Sequence, residues 1–459
     1  MTTAHKSRVL DMTRGDPFRL VLQFSLPLFC SNLLQQVYNL TDTALAGHLL
    51  GSAALAEIGA TAALYGLIMN FAFGMNNGLA LTVSRCFGAG EREGIRRAVG
   101  WMVTLSAAVS IVLTTVSLLG RGALLQALQV PAEVWDGAAA YLTVILLGIP
   151  LTMLYNMEAA LLRAVGNSVT PLLFLLFSSV LNVGLDAAFM GPLGMGVRGA
   201  AVATVLAQGI SAVLGAVYLV RSYPELHFAP AHFKKSARRA VMNMFWAGMS
   251  MGLMSAIYNL GSVALQSSIN ALGSVYITAQ TAARRMAEMY FIPGGALGIG
   301  VATFSSQNLG AGRRSRIWQS VRAALKIYFV WWLFVLAFTF LLGEAVLRLI
   351  TGSSDARIIS NAMLYLKISV PIIPPMAVLV ILRNMLQGIR HTVEPLLASA
   401  LELIGKVIFA VWLVPVWGYR AVCFCEPTTW IICFVFILLA VWRCRSDLQD
   451  ACPPDKTPA

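Results

Sequence analysis

The chain has 459 residues, of which 58% are hydrophobic and only 12% are charged, and its mean hydropathy is +0.75. A soluble protein of this length could not bury so much apolar surface, so the composition excludes an ordinary soluble fold. The net charge of +13 does not indicate nucleic-acid binding, because the basic residues are confined to particular loops.

Twelve apolar stretches follow one another along the chain, and each is long enough to cross a bilayer as a helix. Such a helix needs about 20 mostly apolar residues. The runs are continuous rather than alternating, which argues against membrane-spanning strands. The predicted spans are residues 20–46, 54–82, 97–120, 136–157, 170–190, 197–221, 240–266, 275–302, 320–342, 358–382, 394–414 and 419–442. The predicted fold class is therefore an all-α polytopic membrane protein.

Prolines predict interruptions in the helices of spans 1, 8 and 10. Pro27 lies in span 1 and Pro293 in span 8, and span 10 holds a group of three, Pro371, Pro374 and Pro375. Interrupted helices are tolerated in a membrane where they line a cavity.

Lysine and arginine are concentrated in alternate loops. They precede span 1, follow spans 2, 8 and 12, and fill the segment between spans 6 and 7. This asymmetry obeys the positive-inside rule and predicts that both termini are cytoplasmic. The N-terminus lacks a signal-peptide pattern, so span 1 is expected to insert uncleaved.

The sequence repeats itself at the level of its halves. The glycine pair that surrounds Ala89 in the first half recurs around Ala311 in the second. The matching segments are 50–52 with 272–274, 88–90 with 310–312 and, at nearly the same offset, 171–173 with 395–397. Each half holds six spans, so the repeats are parallel and are related by an axis along the membrane normal.

The predicted organisation is two six-helix bundles with pseudo-two-fold symmetry. The segments are a cytoplasmic N-terminus (1–17), an N-terminal bundle (18–221), a cytoplasmic linker (222–239), a C-terminal bundle (240–442) and a cytoplasmic tail (443–459).

Two acidic residues lie inside apolar spans of the first half, Asp42 in span 1 and Asp186 in span 5. An ionisable group at such a depth costs about 2.5–3.5 kcal/mol on insertion scales and usually has a function. Asn182 lies one helical turn before Asp186, and Thr204 in span 6 falls at a comparable depth. These four residues predict a cation-coupling site for H⁺ or for Na⁺, the latter bound at Asp42 and Asp186. The alternative is a pair of hydrogen-bonded acids that only orient helices.

Other polar residues are candidates for a substrate pathway. In the first half they are Gln35, Tyr38, Asn39 and Asn156.

In the second half, Arg284, Arg285 and Glu288 of span 8 fall at the depth of Glu402 and Lys406 of span 11. This second group is open to two interpretations. It is either a buried, mutually neutralising network or a polar wall of the substrate pathway that accepts an anionic or zwitterionic group.

The chain resembles a MATE (multidrug and toxic compound extrusion) transporter over residues 15–442. The segments that carry the resemblance are 39–43 with Ala46 and Gly47, 88–90, 163–171, 182–186 and 199–204. The resemblance implies a V-shaped pair of six-helix bundles that exports organic cations in exchange for H⁺ or Na⁺. It also implies that Asp42 and Asp186 carry the coupling, assisted by Asn182 and Thr204, as in the prokaryotic branch with its carboxylates in the N-terminal half. Span 10 lacks the acid found in another branch, which favours coupling in the first half.

The predicted function is thus secondary antiport of hydrophobic organic cations by alternating access, without enzymatic activity and without a cofactor. The absence of a P-loop argues against ATP as the energy source. The expected partners are membrane lipid and small organic substrates, and the protein is expected to be a monomer in a bacterial inner membrane. Two alternatives are a lipid or lipid-linked oligosaccharide flippase of the same superfamily and a membrane-embedded transferase.

Overall fold

The computed structural model describes residues 9–128, 130–229, 233, 237–352 and 355–445, and within these ranges the chain is helical and contains no strand. The helices of the first half are α1 (Pro17–Leu50), α2 (Ser52–Ala89), α3 (Arg92–Leu119), α4 (Arg121–Ala127), α5 (Trp135–Ala164), α6 (Val169–Met190) and α7 (Gly196–Ser222). Those of the second half are α8 (Arg238–Asn270), α9 (Ser274–Gly310), α10 (Ser315–Thr351), α11 (Ala356–Ser369), α12 (Ile373–Gly388), α13 (Val393–Ile408), α14 (Val414–Trp417) and α15 (Tyr419–Arg443).

Every predicted span falls on helical residues of this structure. In the described ranges, eleven helices or helix pairs are long and apolar enough to cross a membrane. The twelfth predicted span corresponds to α9, a helix of 37 residues that is less apolar because it carries Arg284, Arg285 and Glu288. The chain is therefore an all-α polytopic membrane protein.

The predicted proline interruptions are correct for one span and wrong for two. Pro27 and Pro293 lie inside the continuous helices α1 and α9. An isolated proline removes one hydrogen bond, which a long helix can tolerate with a local bend. Span 10 is divided, because α11 ends at Ser369 and α12 begins at Ile373 after a 3₁₀ turn. Two of its three prolines stand in the first turn of α12, where no amide donor is needed.

Contacts divide the chain into two units. The first comprises Met1–Leu10, Phe24–Val83 and Arg92–Val263, and the second comprises Asp11–Gln23, Ser84–Glu91 and Ala264–Ala459. In the first unit, α7 packs between α5 and α6, and α3 packs on α5. In the second unit, α9 packs on α10, α11 and α12, while α15 packs on α12 and α13.

The backbone reproduces the sequence repeat at its turns. Gly90 and Gly312 both have φ of 71°, and Gly196 and Gly418 both have φ of 58°. The members of each pair stand at equivalent positions of the repeat, and all four occupy the left-handed region that glycine adopts most readily. The first pair also makes the same turn, since the amides of Gly90 and Gly312 each donate to the carbonyl three residues earlier, at 3.1 and 3.2 Å.

Candidate functional site

Polar side chains from four helices of the first unit meet at one place. Helix α1 contributes Tyr38 and Asp42, which are one turn apart, and α6 contributes Asn182 and Asp186 at the same spacing. This i, i+4 spacing puts both members of each pair on one helix face. Helix α7 contributes Thr204, and Tyr65 of α2 lies beside Asp42.

The centre of this site is a pair of carboxyl groups. The side chains of Asp42 and Asp186 lie close enough to interact electrostatically, and their like charges repel each other unless one carboxyl group holds a proton or a cation lies beside them. Asp186 has no exposed surface. The Oδ1 atom of each aspartate is buried and has no hydrogen-bond donor among the described residues. Two acids whose Oδ1 atoms are buried without a hydrogen-bond donor need a proton or a metal cation to balance their negative charge.

Asn182 fixes the position of one of these carboxyl groups. With its nitrogen toward the acid, the Asn182 amide donates to Asp186 Oδ2 at 2.8 Å and accepts from the backbone N–H of Thr204 at 3.2 Å. The reverse orientation would set two acceptors against each other. Asn182 therefore links α6 to α7 and holds Asp186 in place.

A second layer of hydroxyl and amide groups surrounds the acids. The Tyr38 hydroxyl hydrogen-bonds with Thr204, whose own hydroxyl donates to the carbonyl of Ala200 at 3.1 Å. Tyr65 hydrogen-bonds with Gln208, and the Thr152 hydroxyl donates to Gln208 Oε1 at 2.6 Å. The sequence interpretation missed Thr152 and Gln208 as site residues. Gln208 is detectable from the sequence, since it follows Thr204 by one helical turn.

Apolar residues adjoin the site one helical turn from Asp42, Asp186 and Thr204. A buried cluster contains Tyr141, Ile145, Met190 and three alanines, Ala46, Ala200 and Ala201. Small residues allow membrane helices to approach closely and exclude water. The carboxyl pair therefore lies in a low-dielectric environment, where gain or loss of a cation has a large electrostatic effect.

The remaining first-half candidates lie apart from the carboxyl pair. Gln35 Nε2 donates to Asn39 Oδ1 at 3.2 Å, so these two side chains pair with each other along α1. Asn156 is buried and donates to the carbonyl of Thr152 at 2.9 Å within its own helix.

The charged residues of the second unit form a buried ion cluster, which consists of Arg284, Arg383, Glu402, Lys406 and Glu426. The Lys406 ammonium forms an ion pair with Glu402 at 3.2 Å, and Glu402 accepts a hydrogen bond from Arg383 at 3.4 Å. Glu426 lies 3.8 Å from Arg284 and 4.0 Å from Lys406. Each buried carboxylate therefore has two cationic neighbours from the protein itself.

Two predicted members are not in the buried part of this cluster. Arg285 is exposed, and Glu288 is about half exposed and pairs with Arg284 at 3.4 Å.

The sequence interpretation also overlooked Arg383, Glu426 and Tyr365, whose hydroxyl donates to Glu426. Glu426 carries the same signal as Asp186, since it is an acid inside an apolar span.

Comparison with known proteins identifies the family. The sequence profile of the MatE family matches residues 27–188 and 250–412. The chain belongs to the MatE family. The two matched segments correspond to the two halves of the sequence repeat. The chain is therefore a membrane transport protein and not an enzyme.

Relatives of this MatE chain span most of its length. It is 28% identical over 310 residues to Probable multidrug resistance protein YpnP of Bacillus subtilis, covering 68% of this chain and 69% of that protein. It is 23% identical over 388 residues to Probable multidrug resistance protein NorM of Thermotoga maritima, covering 83% and 82%.

Solved structures share the fold. An outward-facing multidrug resistance MATE family transporter matches with a TM-score of 0.85 and 24% identity, covering 96% of this chain and 98% of that one. A MOP superfamily transporter from Pyrococcus furiosus, whose binding pocket is described as having reverse polarity, matches with a TM-score of 0.86 and 23% identity, covering 95% and 98%. The twelve-helix, two-bundle architecture of these transporters is the fold of this MatE chain.

Proposed function

We propose that this chain is a secondary antiporter that exports hydrophobic organic cations in exchange for protons. The observation that carries the proposal is the Asp42–Asp186 pair, whose two buried Oδ1 atoms lack donors among the described residues. The names of relatives such as YpnP and NorM, which denote multidrug resistance, support drugs and toxins as the substrate class.

The exchange follows from the charge of the site. When the pair holds few protons, its negative charge attracts an organic cation, with Gln35, Tyr38 and Asn39 of α1 along the approach. Uptake of a proton from outside removes one of the two negative charges, allows a hydrogen bond between the two carboxyl groups and weakens the attraction for the cation. Because Asn182 and Thr204 connect the pair to α6 and α7, the same event changes the helix packing that underlies alternating access.

A proton suits this site better than Na⁺. A proton on one member of the pair relieves the repulsion between Asp42 and Asp186, and the amide nitrogen of Asn182 already donates to Asp186 Oδ2. Sodium would require several oxygen ligands around it. The proton moves down its electrochemical gradient, which yields about 2.3 kcal/mol for one charge through 100 mV.

The proposal includes the setting of the protein. It is a monomer in the bacterial inner membrane, in contact with lipid, with both termini in the cytoplasm as the distribution of basic residues indicates. The ion cluster of the second unit takes no part in the exchange, since its carboxylates already have protein cations beside them.

Transport into liposomes under imposed gradients tests the proposal. A pH gradient should drive uptake of a fluorescent organic cation such as ethidium, and a Na⁺ gradient alone should not. In the D42N variant, uptake should fall to the level of empty liposomes. D136N, which neutralises an exposed acid in the first turn of α5, is the matched control and should transport like the unmodified protein.

Three results of this assay would contradict the proposal. Ethidium uptake that persists in D42N would remove the coupling role from the pair. Uptake driven by a Na⁺ gradient alone would show that the coupling ion is Na⁺ and not H⁺. Movement of labelled lipid across the bilayer, without transport of the drug, would favour the flippase alternative.

A further inference from the structure

A third acid of the first unit is buried and does not belong to the site described above. Glu158 lies on α5 and is 4% exposed. Its Oε1 atom has no hydrogen-bond partner among the described residues. The Oγ atom of Ser211 on α7, which is 1% exposed, also lacks a partner there. Buried polar atoms of a native protein rarely remain unsatisfied, so two of them at one place indicate an occupant.

Both side chains line the same small recess between α5, α6 and α7. Its other walls are Tyr155, Ala159, Leu162, Pro171 and Phe174, and its cavity volume is about 10 Å³, enough for roughly one water molecule. Pockets for organic ligands usually measure about 300–1,000 Å³. The recess is therefore too small for a drug, and its occupant must be a proton with water or a small inorganic cation.

The recess contains no positive charge that would hold Glu158 permanently ionised. None of its lining residues from α6 or α7 is charged. The titratable neighbour on its own helix is Tyr155, which interacts in turn with Arg163. Arg163 is engaged elsewhere, since it donates to Asn77 Oδ1 at 3.1 Å and lies over the ring of Phe73.

A glycine makes room for the acid. A Cβ atom at Gly215 of α7 would collide with Glu158 Oε2. The carboxyl group is therefore packed directly against the backbone of α7, and a larger residue at position 215 would displace it.

The position of Glu158 suits transfer of a proton from the carboxyl pair. Asp186 stands four residues from the end of α6 at Met190, whereas Glu158 stands six residues from the end of α5 at Ala164. In the predicted topology these ends face opposite sides of the membrane, the first outside and the second inside.

Polar groups connect the two levels along the interface of α5 and α7. Thr204, Gln208 and Ser211 follow one another at helical spacing on α7, and Gln208 is bonded to Thr152 of α5 at 2.6 Å. Thr152 is six residues from Glu158, or about 9 Å along the helix.

We propose that Glu158 is a second proton-binding carboxyl group of the first unit, which receives the proton from the Asp42–Asp186 pair and passes it to water on the cytoplasmic side. This inference rests on the proposed proton antiport. In the first step the Glu158 carboxylate gains the proton that the pair loses, and in the second step water takes it up as hydronium while Glu158 becomes a carboxylate again.

Two measurements test the inference, and the first does not depend on transport. Infrared difference spectra of the purified protein between acidic and alkaline pH should contain the carbonyl band of a protonated, buried glutamic acid. The band should be absent from E158Q and present in D42N and in E344Q, a matched control in which an exposed glutamate of α10 is changed. Identical spectra for E158Q and the unmodified protein would overturn the second site.

The second measurement follows proton arrival with a pH-sensitive dye on the side of the membrane that the cytoplasmic face contacts. E158Q should bind ethidium with unchanged affinity, while proton arrival slows about tenfold or more, since a positioned proton-transfer group usually contributes at least that much. Normal proton arrival in E158Q would overturn the relay. Failure of the proposed antiport gives a different result, since D42N would then still move protons. The infrared band of Glu158 tests the second site independently of that outcome.

S211A keeps the inference testable if E158Q folds poorly. It leaves the acid intact and removes the other unpartnered group of the recess. The Glu158 band should then shift in frequency, because the surroundings of its carbonyl change. An unshifted band in S211A would count against a shared occupant.

Discussion

Residues next to the carboxyl pair of the first unit match residues of the second unit's ion cluster or their partners in the sequence repeat, but the charges of the two sites are balanced differently. The matching pairs, which follow the offset of the repeat, are Asn182 with Lys406, Thr204 with Glu426 and Tyr141 with Tyr365. In the first unit two aspartates face each other with unmet oxygens. In the second unit an ammonium group lies between two glutamates, 3.2 Å from one and 4.0 Å from the other.

This difference indicates which half can exchange a cation. A carboxylate that already has a lysine or arginine beside it gains little from a proton, because the charge of the pair is already neutralised. A carboxylate without such a partner must take its cation from solution. The repeat therefore produced two related sites, one of which holds its cations permanently as side chains.

The most severe test of this difference between the two sites is to place a permanent side-chain cation in the first unit. In N182K, a lysine would stand beside Asp186, at the position that Lys406 holds in the other half. Transport of ethidium should fall to background while the midpoint of thermal unfolding stays the same or rises, because the acid is now neutralised. N182M, of similar length and without charge, is the control and should keep part of the activity. Full transport by N182K would disprove the need for a free carboxyl pair.

The reverse change removes the permanent cation from the second unit. K406M leaves Glu402 and Glu426 with fewer positive neighbours in a buried place, which should lower the free energy of unfolding by about 3–5 kcal/mol. Denaturation of the purified protein in detergent measures this loss. The double variant E402M/K406M removes one charge of each sign but leaves Arg383 without its carboxylate partner, so it should recover only part of the loss. A stable K406M protein with an altered proton stoichiometry would show that this unit also exchanges protons.

The smallest effect is expected at the edge of the ion cluster. Glu288 is about half exposed and pairs with Arg284 within one helix. Because water screens such a pair, E288Q should change the free energy of unfolding by only about 0–1 kcal/mol and should leave transport unchanged. The same denaturation experiment checks this value. A loss as large as that of K406M would mean that the cluster extends to the helix surface.

The sequence was sufficient to predict the helices and the residues at the centre of the first site. Long apolar runs have few alternatives in a membrane, and an acid inside one is conspicuous. The contacts of Asn182 with Asp186 and Thr204 agree with the predicted convergence of α6 and α7. The roles of these residues in coupling stay a prediction.

Partners from distant parts of the sequence were harder to predict. Glu402 and Lys406 pair within α13, but Arg383 and Glu426 reach them from other helices, and helical spacing gives no information about such contacts. Prolines misled for a similar reason, since Pro27 and Pro293 are tolerated in helices whose neighbours support them. Glu158 was missed because its position along the helix does not reveal whether a neighbouring helix supplies it with an ion-pair or hydrogen-bond partner.

Proton release on drug binding is the most direct test of the central claim. Ethidium is added to purified protein in weakly buffered detergent solution, and a pH dye counts the protons released. The unmodified protein should release about one proton for each drug bound, since the pair shares a proton in the absence of the drug. The double variant E402M/K406M should release the same number, and D42N/D186N should release none. Equal release by D42N/D186N and the unmodified protein would contradict the claim that the first unit's carboxyl pair exchanges the cation.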